Sequence, residues 1–271
     1  MSGKVVLVGC GNMGYAMLSG WLKSGRLARE DTIVVEPNTE LRQRAAALGV
    51  AAVAGASYLQ DDLSPRLVVI AVKPQMIRDV LPAYRRFAGG NTTFVSVAAG
   101  TRIALFEELL GADVAIIRCM PNTPAAIGKG MMVVVSNPHV TGDAEAFVEA
   151  LLETSGKVAR IADEDGMDAV TAVSGSGPAY IFHFIECLGK AAEKAGLPKE
   201  TAGLLAMQTV YGAACLAAES GEAPGKLREQ VTSPNGTTAA ALAVMMGENR
   251  LGDLVAEAVE AARKRSVELG K

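Results

Sequence analysis

Two stretches of this 271-residue chain place glycines, amides and hydroxyls where a helix begins, the position at which unpaired main-chain N–H groups favour an anion. The first is Gly9-Cys10-Gly11-Asn12-Met13-Gly14, which follows the apolar run KVVLV (residues 4–8). In that spacing Gly9 permits a tight turn, Gly11 lets a pyrophosphate approach the main chain, and Gly14 allows a helix to pack closely on a strand. Asn12 and Met13 lie in the first turn of that helix. A second strand, TIVVE (residues 32–36), ends in Glu36, about 20 residues beyond Gly14, where an acidic side chain meets a ribose 2′-hydroxyl. Strand, glycine turn, helix and second strand together point to a dinucleotide site rather than to a purely structural turn.

The second stretch is VTSPNGTT (residues 231–238), which runs without a charge into an alanine-rich helix. The hydroxyls of Ser233, Thr237 and Thr238 and the N–H groups around Gly236 can hold a carboxylate by hydrogen bonds alone. The plainer alternative is an ordinary N-cap, with Thr237 or Thr238 bonding the first turn.

A nicotinamide carries its own hydride, so the protein must mainly position the ring and a substrate. Oxidising an alcohol also needs a base, and the chain has only two histidines. His183, within AYIFHFIE, reads as a core or interface histidine, and His139, in SNPHVTGD, as a surface one. Lys190 and Lys194 share helical spacing with Glu186 and Glu193, the pattern of a solvated face. This shortage of bases favours a substrate that needs little proton help, such as an imine that binds already protonated.

Elements that would position these groups alternate over the first part of the chain. Strands are expected at 4–8, 32–36, 67–72, 92–98, 115–120, 131–136 and 157–162, apolar nearly throughout, as in a parallel sheet covered on both faces. Helix punctuation includes Thr101 at an N-cap and Gly49 and Gly111 after last turns. Beyond Asp163–Gly166 the pattern becomes helical to the end. The expected fold is therefore α/β: a Rossmann-type, doubly wound sheet domain at 1–162, then an all-helical domain at 163–271. Ala- and Gly-rich helices such as LAMQTVYGAACLAA carry more apolar surface than a lone small bundle can bury, which points to a homodimer. A net charge of −3 with mixed signs gives no basic stripe for nucleic acid, and the apolar runs at 67–72 and 131–135 are too short to span a membrane. Four scattered cysteines with no CxxC pair fit reduced thiols in a cytoplasmic protein and no metal site.

The quoted motifs resemble those of the pyrroline-5-carboxylate reductases over essentially the whole chain. GCGNMG, AVKPQ (71–75), VSVAAG (95–100) and RCMPNTPA (118–125) are similar to the family's cofactor-domain stretches. DAVTAVSGSGPAY (168–180) and EQVTSPNGTT (229–238) are similar to its helical-domain motifs. One departure is Asn235, where glycine is commoner and which tolerates similar backbone angles. The resemblance implies reduction of a cyclic imino acid by NADPH or NADH, with Ser233, Gly236, Thr237 and Thr238 on the substrate carboxylate. Thr171 would stand by the imine nitrogen as proton donor or orienter. Ala71, Lys73, Pro74 and Ala98 would lie along the cofactor, and Met120, Pro121 and Asn122 beside the nicotinamide. It also implies dimers interlocked through the helical domain and, in many members, decamers. Two rivals share parts of the pattern. A β-hydroxyacid dehydrogenase needs a helix lysine near the hinge, where this chain has none before Lys190. A non-catalytic dinucleotide-sensing dimer would have no use for the second stretch.

Overall fold

The structure, a computed structural model, describes residues 3–270. These form two compact units: residues 3–176 with 262–270, and Gly177–Ala261.

The first unit is built on one eight-stranded sheet of order β3-β2-β1-β4-β5-β6-β7-β8. Its strands are β1 (Val5–Val8), β2 (Thr32–Val35), β3 (Ala51–Val53), β4 (Leu67–Ile70), β5 (Thr93–Ser96), β6 (Ala115–Met120), β7 (Gly130–Ser136) and β8 (Gly156–Arg160). Helices α1 (Asn12–Lys23), α2 (Thr39–Ala46), α3 (Ile77–Val80), α4 (Ile103–Leu110), α5 (Gly142–Leu152) and α6 (Met167–Val170) accompany it. The strands are apolar because both faces are covered. On β1, Val5 and Leu7 pack with Met17, Leu18 and Trp21 of α1, while Val6 and Val8 pack with Phe94 and, from α4, Phe106. Each such side chain contributes about 1.5–3 kcal/mol by leaving water.

The sheet departs from the expected one in two places. β3 is a three-residue edge strand of Ala-Ala-Val, too short and alanine-rich to stand out in the sequence. β7 runs antiparallel to β6, although every other neighbouring pair is parallel. Only residues 121–129 join β6 to β7, fewer than a parallel crossover requires. Gly128, left-handed at φ 70°, ends the tight turn Thr123–Ile127 that reverses the chain instead.

The second unit holds α7 (Gly177–Lys194), α8 (Lys199–Glu219), α9 (Pro224–Gln230), α10 (Thr237–Met246) and the start of α11 (Arg250–Leu269), whose end belongs to the first unit. Among the described residues of this unit, only Ala202 and Ala206 are buried apolar side chains. Phe182, Leu204, Tyr211, Val244 and Leu254 are each at least 59% exposed. Helix α8 is, by length and composition alone, long and apolar enough to cross a membrane.

Candidate functional site

The glycine turn after β1 sits where the strand order reverses, between β1 and β4, at the carboxyl ends of the strands. Gly9 has φ 89°, and a Cβ there would fall 2.7 Å from the Ala71 carbonyl oxygen. A Cβ on Gly14 would strike the Gly9 carbonyl, so only glycine lets α1 start this close to the strands. Gly11 differs: a Cβ on it would meet nothing within 4 Å. That open side is where a pyrophosphate would lie. Gly11 is also the N-cap of α1 and makes no side-chain cap bond, which leaves the first N–H groups of the helix to a ligand.

This loop is latched from the end of β2. Glu36 is buried, and its carboxylate accepts from Cys10 N at 2.7 Å and Asn38 N at 2.9 Å. A carboxylate has about four acceptor sites, so a ribose hydroxyl can still be received. Arg44 donates to the Cys10 carbonyl at 2.9 Å and stacks over Tyr15, while Arg42 donates to the carbonyls of Glu36 and Pro37 at 2.9 and 2.8 Å. Burial pushes the Cys10 thiol up to about 11, with Arg44 opposing and Glu36 adding, and burial pushes Cys119 up to about 12. Both stay protonated at neutral pH and supply no nucleophile.

The remaining strand ends fall on the same edge of the sheet. Ala71 follows β4 and touches the glycine turn, whereas Lys73 and Pro74 are exposed. Ala98 is buried after β5, with its N–H on Ser96 Oγ at 3.3 Å. Met120 closes β6, followed by buried Pro121 and half-buried Asn122. A shallow cleft of about 620 Å3 lies at the opposite edge, lined by Arg66, Thr92, Ala115 and exposed His139. It contains none of these groups.

Thr171 begins a π-helical turn, Thr171–Gly175, that follows α6 directly. Such turns are rare and often mark functional sites. Its hydroxyl donates to the Met167 carbonyl at 2.9 Å, so the group turns lone pairs, not a proton, toward any ligand. Three contacts that sequence reasoning missed hold this segment. Asp168 accepts from Ser266 Oγ of α11 at 2.6 Å. Glu164 accepts from buried Arg118 at 2.7 Å and from Ile103 N at 2.9 Å. This corrects the expected cap: Arg102, not Thr101, is the N-cap of α4, and a carboxylate 61 residues away satisfies its first N–H. Arg118 stood inside a quoted motif, but nothing local pointed to its partner.

In the second unit, Gly236 is the N-cap of α10 and makes no side-chain cap bond; Thr237 and Thr238 are the first helical residues. The ordinary N-cap alternative, with a threonine bonding the first turn, is therefore overturned. Among the described residues, none hydrogen-bonds the hydroxyls of Ser233, Thr237 or Thr238. A Cβ on Gly236 would lie 2.5 Å from Ser233 Oγ, so glycine is what allows that hydroxyl to face the helix end. Asn235 adopts φ 60°, left-handed as its glycine-like position requires. His183 is exposed on α7 rather than in a core, with Nδ1 3.3 Å from Glu186.

Comparison with known proteins agrees with this layout. Residues 4–100 match the family model described as NADP oxidoreductase coenzyme F420-dependent, and residues 164–269 match pyrroline-5-carboxylate reductase dimerisation. A pyrroline-5-carboxylate reductase of Vibrio alginolyticus is 35% identical over 269 residues, covering 99% of this chain and 98% of the relative. A structure of the Coxiella burnetii enzyme superposes with a TM-score of 0.94 at 34% identity, covering 100% of both chains. The Plasmodium falciparum reductase, solved with NADP bound, gives 0.85 at 29% identity over 99% of this chain and 98% of that one. A Rossmann sheet with an uncapped glycine turn, a helical segment matching the family's dimerisation model and relatives matched from end to end leave one assignment: the chain belongs to the pyrroline-5-carboxylate reductase family.

Proposed function

We infer that the protein reduces L-1-pyrroline-5-carboxylate to L-proline at the expense of NADPH or NADH, a step of proline biosynthesis. The observation that carries this reading is the second anion site: an uncapped helix start with three unengaged hydroxyls, in a protein that already has a dinucleotide turn. We assign the cofactor to 1–162 and substrate binding and dimerisation to 163–271, the division read from the sequence; the compact units divide at 176/177 instead, with residues 262–270 returning to the first.

Gly9, Gly11, Asn12, Met13 and Gly14 hold the pyrophosphate, and Glu36 the adenosine ribose. Ala71, Lys73, Pro74 and Ala98 line the cofactor, and Met120, Pro121 and Asn122 border its nicotinamide. When bound, that ring supplies the hydride that reaches the imine carbon. Ser233, Thr237, Thr238 and the Gly236 N–H hold the substrate carboxylate. Thr171, its own proton on Met167, accepts a hydrogen bond from the iminium N–H and so favours the protonated, electrophilic imine. Hydride on carbon and the proton already on nitrogen together give the secondary amine. The role left to Thr171 is orientation.

The exposed apolar surface of α7, α8 and α10 is covered in a homodimer, and dimers assemble further as in decameric members of the family. The same burial accounts for α8 without a membrane. Free cysteines and a net charge of −3 fit a cytoplasmic enzyme with no nucleic-acid partner.

Oxidation of NADPH with and without the cyclic imine tests the activity directly. Thr238→Ala is expected to raise the imine KM about ten- to a hundredfold, the value of one hydrogen bond to a charged group, with the NADPH constant within about twofold. An unchanged KM, or equal damage to NADPH binding, would remove Thr238 from the carboxylate site. Both cofactors should be used, with NADH relatively better used than in typical members of the family, because Glu36 accepts from the diol of NADH yet repels the 2′-phosphate of NADPH. Glu36→Gln disturbs the Cys10 and Asn38 latches equally for both. The ratio of kcat/KM values, NADPH over NADH, should therefore rise about tenfold from the lost charge. A ratio within twofold of the parent's would show that Glu36 serves the loop alone.

A further inference from the structure

We propose that Asn122 is a positioning residue of the imine reduction, whose amide holds the π-helical turn bearing Thr171 in register with the strand-end loop beside the nicotinamide. The inference rests on the activity proposed above. Asn122 Oδ1 accepts from Met131 N, at the start of β7, at 2.8 Å. Asn122 Nδ2 donates to the Ser174 carbonyl at 3.1 Å, with Ser174 Oγ at 3.4 Å. The orientation of the amide is determined by these partners, since a main-chain N–H can only donate and a carbonyl can only accept.

The turn needs this outside donor for a reason visible in its sequence. In an α-helix the Ser174 carbonyl would accept from the N–H of residue 178, and residue 178 is a proline, which has none. The chain has already widened there, with Ser176 N bonded to the Thr171 carbonyl at 2.8 Å. Asn122, 52 residues away, supplies the donor the local backbone lacks. A second contact comes from the same loop: a Cβ on Gly175 would strike Met120 Cε, so the Met120 side chain lies directly against the turn. Both ends of the Asn122 amide are committed. What residue 122 offers the cofactor is its main chain, and what its side chain controls is where Thr171 stands. A group displaced by a fraction of an ångström from its reacting partner loses rate before it loses affinity.

Full-length Asn122→Ala and Asn122→Asp separate this from a ligand role. In both, kcat should fall about ten- to a hundredfold, with the imine KM and the NADPH dissociation constant within about threefold. Asn122→Asp keeps the acceptor for Met131 N but turns a carboxylate toward the Ser174 carbonyl. Once protonated it can donate, so its kcat relative to the parent should recover as pH falls. A kcat within twofold of the parent in both variants overturns the proposal. So does a loss carried by the NADPH constant, or a pH-independent ratio for Asn122→Asp. Hydrogen exchange is an activity-free check: the Met131 amide should exchange at least about tenfold faster in Asn122→Ala and stay protected in Asn122→Asp. A parent that oxidises no NADPH with the imine refutes the activity itself, whereas unchanged Met131 exchange in Asn122→Ala refutes the clamp.

Discussion

Gly11→Val is expected to weaken NADPH and NADH alike by at least about a hundredfold, the loss of two hydrogen bonds to a charged group, while thermal unfolding hardly moves. The neutrality toward folding comes from geometry. Gly11 has φ −63° and ψ −162°, a conformation open to any residue, and its Cβ would project into space empty to 4 Å. The damage to binding comes from the same empty space, since a valine would stand where the pyrophosphate must approach the N–H groups of α1. Gly14→Val should behave in the opposite way. Its side chain would strike the Gly9 carbonyl and lie 3.4 Å from the Ala71 Cβ, so the unfolding midpoint itself should fall. Calorimetry of the two variants with fluorescence titration of NADPH checks both. A Gly11→Val protein that binds cofactor normally would displace the pyrophosphate from this turn.

Leu204→Glu should abolish the oligomer. Leu204 is 68% exposed in the single chain, on a helix whose fully buried apolar side chains are Ala202 and Ala206. An 85-residue helical unit cannot be stable on so little interior, because ordering costs about 1–2 kcal/mol per residue of backbone entropy. In the proposed homodimer the missing burial comes from another copy. In a two-fold dimer the substitution acts twice, each time losing about 1.5–3 kcal/mol of burial and leaving a carboxylate without water. Light scattering should show monomer or aggregate, and activity should be lost. A variant that keeps the parent's mass and kcat would place Leu204 outside the interface, and the same outcome at Phe182, Tyr211 and Leu254 would refute burial of this surface.

The sheet was largely legible because its strands obey a local rule. Runs such as VVLV and LVVI have no polar face, and a parallel sheet covered on both sides is the usual place for them. The glycine turn was legible for a similar reason, since strand, tight turn and helix follow one another within a few residues. The antiparallel β7 was not, because it depends on the length of the 121–129 connection rather than on the composition of the strand. The cap of α4 was not legible either. Thr101 is a favoured capping residue ahead of an apolar run, but a carboxylate arriving from residue 164 takes the first N–H instead.

By itself the sequence determined the fold class, the glycine turn after the first strand, and the family, because each is written in neighbouring residues. Only the tertiary structure decided what the polar side chains near the site are paired with. Glu36 bonds the Cys10 and Asn38 amides, Arg118 meets Glu164, Asp168 meets Ser266, and Asn122 bridges Met131 and Ser174. The physical reason is common to all four. A backbone group or charge removed from water must find a partner, and which partner it finds depends on elements brought together from far along the chain, not on spacing within it.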